Sequence, residues 1–411
     1  MKRLSSACAL LLGLAACHSQ TSQPAATEAA DVPQAARPAT APPVADSPGA
    51  AYRVYRGLLA GQADSLTLHL VTAPQPRYDT HGPSSQGSYY GADGHPYQLS
   101  SQPSAPDSLV LNDYSPEHGA GPTGQAPTWR LRRQPDGSLA GTAGTQAVRL
   151  RPAALAGGLG FAVRCFTDSL AAYPKEPATS PKARLYVQAL VPTGGPAAVR
   201  QTLQNSLLRD LRGDTLASAP VVALDKLFRQ QRDTLFTSYR DEVAELVKTM
   251  PADERPSATL NYEEQTSTQV LYQGGDLLSL GFFTYSYSGG AHGMNTTTGA
   301  SYDLRTGRRL RYDDIFLPAA QAQLPALLAQ AVRPLVGLKP GEPLDRALFV
   351  KQMPVTRNVF LTAGGVEFIY QPYDIASYAQ GEVRVFLPLA QVRPLLRQGL
   401  PLLAGGTVAA R

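Results

Sequence analysis

Between residues 51 and 153, apolar and polar side chains alternate in short runs broken by turn residues, and that pattern leaves few folds open. Successive side chains of a strand point to opposite faces, so a period of two marks a strand with one buried side. Leu66, Leu68 and Leu70 alternate with Thr67 and His69, and Trp129 and Leu131 alternate with Arg130 and Arg132. Asp93-Gly94 and Asp136-Gly137 separate such runs and are hairpin signals. Six to eight short strands in about 100 residues predict a small antiparallel barrel or sandwich.

From about residue 160 the period changes. "ARLYVQALVP" predicts a strand, and Val199, Leu203, Leu207 and Leu211 then recur every four residues up to Gly213. That spacing puts four apolar side chains on one helical face, with a glycine at the stop. Leu224, Phe228, Leu235, Tyr239, Val243, Leu246 and Met250 predict a second, longer helix. Residues 258 to 287 predict a hairpin turning at Gly274-Gly275-Asp276, with a third strand over 296 to 303. A helix over 317 to 337, a hairpin through Gly364-Gly365 and a strand passing into a short helix complete the pattern. Helices and strands mix without strict alternation, so the expected class is α+β: an antiparallel sheet with packed helices over 160 to 400, preceded by the small all-β domain. The first half of the α+β region spans 160–300 and the second 301–400.

The N-terminus reads as an address. Lys2 and Arg3 precede an apolar run too short to remain as a membrane span, and it ends in Leu14-Ala15-Ala16-Cys17. This resembles the bacterial lipobox, which implies cleavage after residue 16 and lipid on Cys17; a plain secretory signal cut near Ala16 is the alternative. Residues 17–50 are rich in proline and alanine with almost nothing large and apolar, so they predict a disordered tether. In extended polyproline form, the 33 residues after Cys17, at about 3.1 Å each, would reach roughly 100 Å. The expected location is the cell envelope, on the periplasmic side. Of three cysteines, Cys8 leaves with the signal and Cys17 carries lipid, so Cys165 has no disulfide partner and reads as an inert thiol.

Net charge is +5, and removing Lys2 and Arg3 leaves 5 − 2 = +3, with no Lys/Arg block longer than two. Nucleic-acid binding needs a concentrated basic footprint and is set aside. His69, His81, His95 and His118 match no metal-ligand spacing and read as scattered surface residues; no metal and no cofactor are expected.

Residues from about 165 to 397 resemble the extracellular domain shared by RsiV-type anti-sigma factors and PdaC-type deacetylases, that is, domain of unknown function 3298 with its N-terminal companion, 4163. The resemblance is carried by "YSYSGGAHG", by "YDLRTGRRLRYDDIF", and by "FLTAGGVEFIYQPYDIASYAQGEVRVFLP". It implies an α+β envelope domain and, in the anti-sigma factors, capture of a lysozyme. No sigma-binding segment, internal membrane helix or deacetylase metal motif accompanies it in this sequence, so neither signalling nor deacetylation carries over. The β domain lies outside the resemblance.

The glycine loop is the main candidate site. Gly289, Gly290 and Gly293 let a backbone or ligand approach closely, His292 offers a hydrogen bond, and Tyr285 or Tyr287 offers a ring for a sugar. The competing reading is a sharp strand-to-strand connection in which His292 caps carbonyls. "YQPYDIASYAQGE" adds Tyr370, Tyr373, Asp374 and Tyr378 as a second ligand-binding group, or as packing. Ser288, His292 and Asp303 could be drawn as a triad, but spacing alone gives no oriented base or oxyanion hole. Glu263 and Glu264 are strand neighbours facing opposite ways, and Asp313 is expected to cap a short helical turn. The expected function is binding of an envelope ligand, either a lysozyme-like protein or peptidoglycan, without catalysis. A cell-wall enzyme using His292 and a structural docking lipoprotein are the competing classes.

Overall fold

The structure, a computed structural model, describes residues 45–404 apart from 61–64, 75–83, 103–106, 119–126, 155–158, 176–179, 215, 217 and 250–258. Cys17, His81, Met250 and the Leu246 side chain therefore lie outside what is described.

The alternating segment closes into a barrel. Its strands are β1 (Ala51–Leu59), β2 (Leu66–Ala73), β3 (Ser84–Tyr90), β4 (Tyr97–Gln102), β5 (Ser108–Asp113), β6 (Thr128–Arg133), β7 (Leu139–Ala143) and β8 (Gln146–Pro152). Each pairs antiparallel with the next, and β1 pairs β8, which removes both edges. Leu68, Leu70, Leu111, Leu131, Leu139 and Leu150 fill the interior with Tyr55 and Trp129. An eight-stranded barrel is just wide enough for side chains to fill, and this one follows the rule. Both Asp-Gly pairs occupy hairpin turns, with Gly94 at φ 67 and Gly137 at φ 77.

A six-stranded sheet follows: β9 (Gly160–Ala171), β10 (Lys182–Thr193), β11 (Tyr262–Gly274), β12 (Leu277–Ser288), β13 (Met294–Asp303) and β14 (Arg308–Leu310). The pairing is antiparallel except between β10 and β11, which run parallel. Their crossover carries α1 (Ala197–Arg212) and α2 (Leu224–Thr249), whose buried faces (Leu203, Leu207 and Leu211; Leu227, Leu235, Tyr239 and Val243) cover the sheet. Gly213, at φ 80, returns amide bonds to Arg209 and Asp210 and ends α1.

The last part consists of α3 (Tyr312–Ile315), α4 (Ala320–Leu335) and a three-stranded antiparallel sheet of β15 (Val359–Leu361), β16 (Gly365–Tyr370) and β17 (Val383–Pro388). Leu324, Leu328 and Val332 of α4 share a core with Phe368, Val385 and Leu387. Ser279 Oγ donates to the Leu361 carbonyl (2.6 Å), and the Leu361 amide donates to Ser301 Oγ (2.7 Å), so this sheet is tied to β12 and β13. No helix among the described residues is long and apolar enough to cross a membrane.

Four sequence expectations need correction, each because a neighbour distant in sequence decides the matter. His69 is not a surface residue: the outer face of β2 is covered by the six-stranded sheet, and His69 is 1% exposed. Its Nδ1 accepts from Tyr52 (2.7 Å) and its Nε2 donates to Tyr90 Oη (3.1 Å), whose own proton goes to the Gln273 carbonyl. Burial pushes its pKa down to about 3, so the ring is neutral there. His95 is half of the seam between barrel and C-terminal sheet, its ring stacked on Phe386 at 4.3 Å. Gly94 and Gly364 meet there so closely that a Cβ on Gly364 would lie 1.7 Å from the Asp93 carbonyl oxygen. The tether stops short of residue 50: Asp46 Oδ1 accepts from the Val163 amide (2.7 Å) and Ser47 Oγ from the Cys165 amide (2.9 Å), pairing this segment with β9. The turn "DDIF" is capped by Asp314, which accepts from the Arg311 amide (2.9 Å), while Asp313 faces solvent and pairs with Arg357.

Candidate functional site

The glycine loop and the 370–378 loop meet. Gly289 and Gly290 adopt φ 76 and φ 142, conformations that side-chain-bearing residues rarely take, and they let the chain leave β12 sharply for β13. His292 is then exposed and stacks on Tyr378, with centroids 3.8 Å apart and planes 18° from parallel. Tyr378 Oη donates to the Gly293 carbonyl (2.6 Å), and His292 Nδ1 lies 3.1 Å from the same oxygen. Tyr373 continues the row at 5.9 Å from Tyr378. It is the one non-glycine residue at positive φ (74°) among those described, and its ring is 51% exposed. Strain of this kind costs about 1–3 kcal/mol and points to a required orientation. Tyr285 lies against Gly293, where a Cβ would come within 2.4 Å of its ring.

Gln371 fastens the second loop. Its side-chain oxygen accepts from the Thr297 amide (3.0 Å) and its nitrogen donates to the Thr297 carbonyl (2.6 Å), completing β13's edge like an added strand residue. Asp374 closes the turn by accepting from the Gln371 amide (2.8 Å).

From Tyr285 a groove of about 220 Å³ runs between the six-stranded sheet and the barrel. Its walls are amides and hydroxyls (Gln86, Gln98, Gln265, Gln269, Asn295, Ser267 and Thr296) with the rings of Phe283 and Tyr114. Tyr114 is 53% exposed, and the Arg384 guanidinium lies 5.7 Å over the Phe283 ring. No carboxylate lines the groove among the described residues. The chemistry on offer is stacking and neutral hydrogen bonding.

The expected residues therefore divide. Tyr285, Gly293, His292, Tyr373 and Tyr378 form one surface. Tyr287 donates to the Gly290 carbonyl (3.0 Å) and braces the loop, and Asp374 is a turn closer. Tyr370 does not belong: it is 1% exposed, with Oη donating to the Pro354 carbonyl (2.6 Å), because β16 is buried on both faces. The triad does not assemble, since His292 precedes β13 and Asp303 ends it, about 30 Å apart at 3.3 Å per residue. Asp303 is bound by Arg305 instead. Glu263 is buried and Glu264 exposed, as opposite faces require. Cys165 is partly buried and its thiol is pushed upward by burial. Among the described residues, no group of three or more His, Cys, Asp or Glu side chains could hold a metal ion. The groove's glutamines were the part the sequence hid. They sit on outward positions of strands, where glutamine reads as ordinary solvated surface, and only the barrel's placement makes them a wall.

Residues 198–295 match the family Deacetylase PdaC, and residues 313–390 match DUF3298, described as a protein of unknown function. A crystal structure of a DUF3298 family member from Bacteroides fragilis is similar, with TM-score 0.51 and 20% identity over 59% of this chain and 96% of that one, a likeness of fold. A DUF3298 family protein from Pseudomonas aeruginosa aligns at TM-score 0.40 and 18% identity, over 58% and 95% of the two chains. No curated protein matches the chain. Tyr285 and His292 come from the first matched segment, and Tyr373 and Tyr378 from the second. Gln86, Gln98 and Tyr114 come from the barrel, which lies outside both.

Proposed function

We propose that this is a lipid-anchored envelope protein that binds a glycan strand of the peptidoglycan type, without catalysis of its own. The observation that carries the reading is the aromatic row Tyr285–His292–Tyr378–Tyr373 opening into an amide-lined groove. Sugar rings offer C–H faces that stack on aromatic rings and hydroxyls that pair with planar amides. Acid–base cleavage of a glycan needs a pair of carboxyl groups, and the groove lining holds none.

Titration of the purified domain with chitotetraose and with soluble muropeptides by calorimetry tests this. Saturable binding is expected, weakened roughly tenfold by Tyr285→Ala and less by His292→Ala. If neither sugar binds, the glycan reading fails; retention of lysozyme in its place would assign the aromatic row to a protein partner. Sugar turnover lost in His292→Ala would establish the enzymatic alternative.

The anchor rests on the lipobox ending in Cys17. Membrane fractionation should find the wild-type chain with the membranes and Cys17→Ser in the soluble fraction, since the acyl chains supply about 0.8 kcal/mol per buried CH₂. An unchanged distribution would sink the lipid anchor.

A further inference from the structure

Among the described residues, one end of the barrel surrounds a cavity. The ends of β1, β3, β5 and β7 and the starts of β2, β4, β6 and β8 ring it, and its volume is about 620 Å³. That volume lies inside the range of small-molecule sites, and eight-stranded barrels are able to hold one small ligand at the mouth. The floor is apolar: Leu59, Leu66 and Trp129 come from the barrel core, and Ala143 lines the wall.

One side of the mouth carries an ordered polar group. Asp113 is 1% exposed, and its Oδ2 accepts from Tyr89 Oη (2.6 Å) and from His118 Nδ1 (2.7 Å). Its Oδ1 accepts from the Ser115 amide (3.0 Å). These hydrogen bonds outweigh burial and keep the carboxyl below its ordinary range, so it is ionised. A carboxylate facing Nδ1 fixes the proton on that nitrogen. The same hydrogen bond, with the charges of Asp113, Glu117 and Asp93, raises the ring's pKa above its ordinary value, and Nε2 has no partner among the described residues. Asp93, Asp113 and Glu117 on the same side oppose an anionic head group.

We infer that the barrel mouth is a second ligand site, separate from the glycan groove, for a neutral molecule with a compact apolar ring and one hydroxyl. The ring lies over Trp129, and the hydroxyl, able to donate or accept, pairs with His118 Nε2. Phenols and alicyclic alcohols have this chemistry; fatty acids and other carboxylates do not.

Trp129 is the sole tryptophan of the chain, so its indole N–H gives a single resonance that reports on this floor alone. The test is titration of the ¹⁵N-labelled protein with 1-naphthol, naphthalene and 1-naphthoate. The indole resonance should shift saturably with 1-naphthol. Naphthalene should bind roughly three- to tenfold more weakly, the worth of one hydrogen bond, and 1-naphthoate more weakly still. His118→Phe should erase the preference for 1-naphthol over naphthalene, and Ala143→Phe should abolish the shift by covering Trp129, its cross-strand partner. An indole resonance that does not move overturns the site. So does a shift that survives Ala143→Phe in a variant with unchanged circular dichroism. Equal binding of 1-naphthoate, or a hydroxyl preference kept by His118→Phe, overturns the assigned ligand chemistry.

Discussion

Replacing Arg309 by alanine is expected to destabilise the protein by about 3 kcal/mol, although the residue belongs to a three-residue edge strand. Arg309 pairs with Asp210 of α1, whose side chain is 2% exposed and also accepts the Tyr302 hydroxyl. Burial pushes the Asp210 carboxyl upward, and the guanidinium pulls it back. Asp210 sits in the last turn of α1, where unsatisfied carbonyls already give a negative end, so a carboxylate there has two reasons to need a cation. Without Arg309 the charge is left unpaired in the layer between α1 and the sheet, and it must either ionise at a cost or take up a proton. The loss falls at the low end of the range for broken buried pairs, because Arg309 itself keeps some contact with water. Urea unfolding at neutral pH should show a lower midpoint with an unchanged slope. The double variant Asp210→Leu/Arg309→Met should recover most of the loss, since an apolar pair removes both desolvation costs. A loss below 1 kcal/mol in Arg309→Ala would mean that the Tyr302 hydrogen bond suffices to hold the Asp210 carboxylate without a cation.

That ion pair shows where reading the sequence succeeds and where it stops. Leu66, Leu68 and Leu70 announced their strand because burial on one face leaves a local period, and the Asp-Gly turns followed from backbone stereochemistry within two residues. Leu203, Leu207 and Leu211 announced α1 in the same way. Asp210, however, lies between Leu207 and Leu211 and reads as a solvated helix residue until β14 delivers an arginine from 99 positions away. His69 read as the polar half of an alternating strand, and it became buried because a second sheet lies on that side. Tyr370 read as a site residue because it lies near Tyr373, yet three steps along the chain separate a fully buried strand from a strained, exposed turn. Period and turn chemistry are local signals. Which outer face is covered, and by what, depends on contacts between elements, and the groove of glutamines is made of such faces.

The seam between barrel and C-terminal sheet yields the largest expected effect. Glu367 of β16 is 2% exposed, and its Oε2 has no hydrogen-bond partner among the described residues. Burial pushes its carboxyl up to about 8; Glu117 and Glu382 add to the shift and Arg384 opposes it. His95, 3.9 Å from Glu367 Oε2, is pushed down to about 4 by burial, so it supplies no positive charge near neutrality. Below about pH 4.5 Glu367 is protonated whether the chain is folded or not, and burial of the neutral acid costs little. Between about 4.5 and 8 the unfolded chain releases this proton and the folded chain keeps it, so stability falls as pH rises, by about 1.4 kcal/mol per unit. Above 8 both forms are ionised and the loss is complete, at roughly 3–5 kcal/mol. Glu367→Gln keeps the shape and removes the titration. The stability difference between variant and wild type should therefore grow in the variant's favour from pH 4.5 to 8 and be flat on either side. His69 acts with the opposite sign, losing stability as pH falls below about 6.5, but it is present in both proteins and cancels from the difference; His95 acts the same way and touches Glu367, so the change between pH 6.5 and 8 is the part that belongs to Glu367 alone. Urea unfolding of the two proteins at pH 5, 6, 7 and 8 measures it. A difference independent of pH would show that the wild-type Glu367 is solvated or paired, and that barrel and sheet are not sealed against each other where Gly94 meets Gly364.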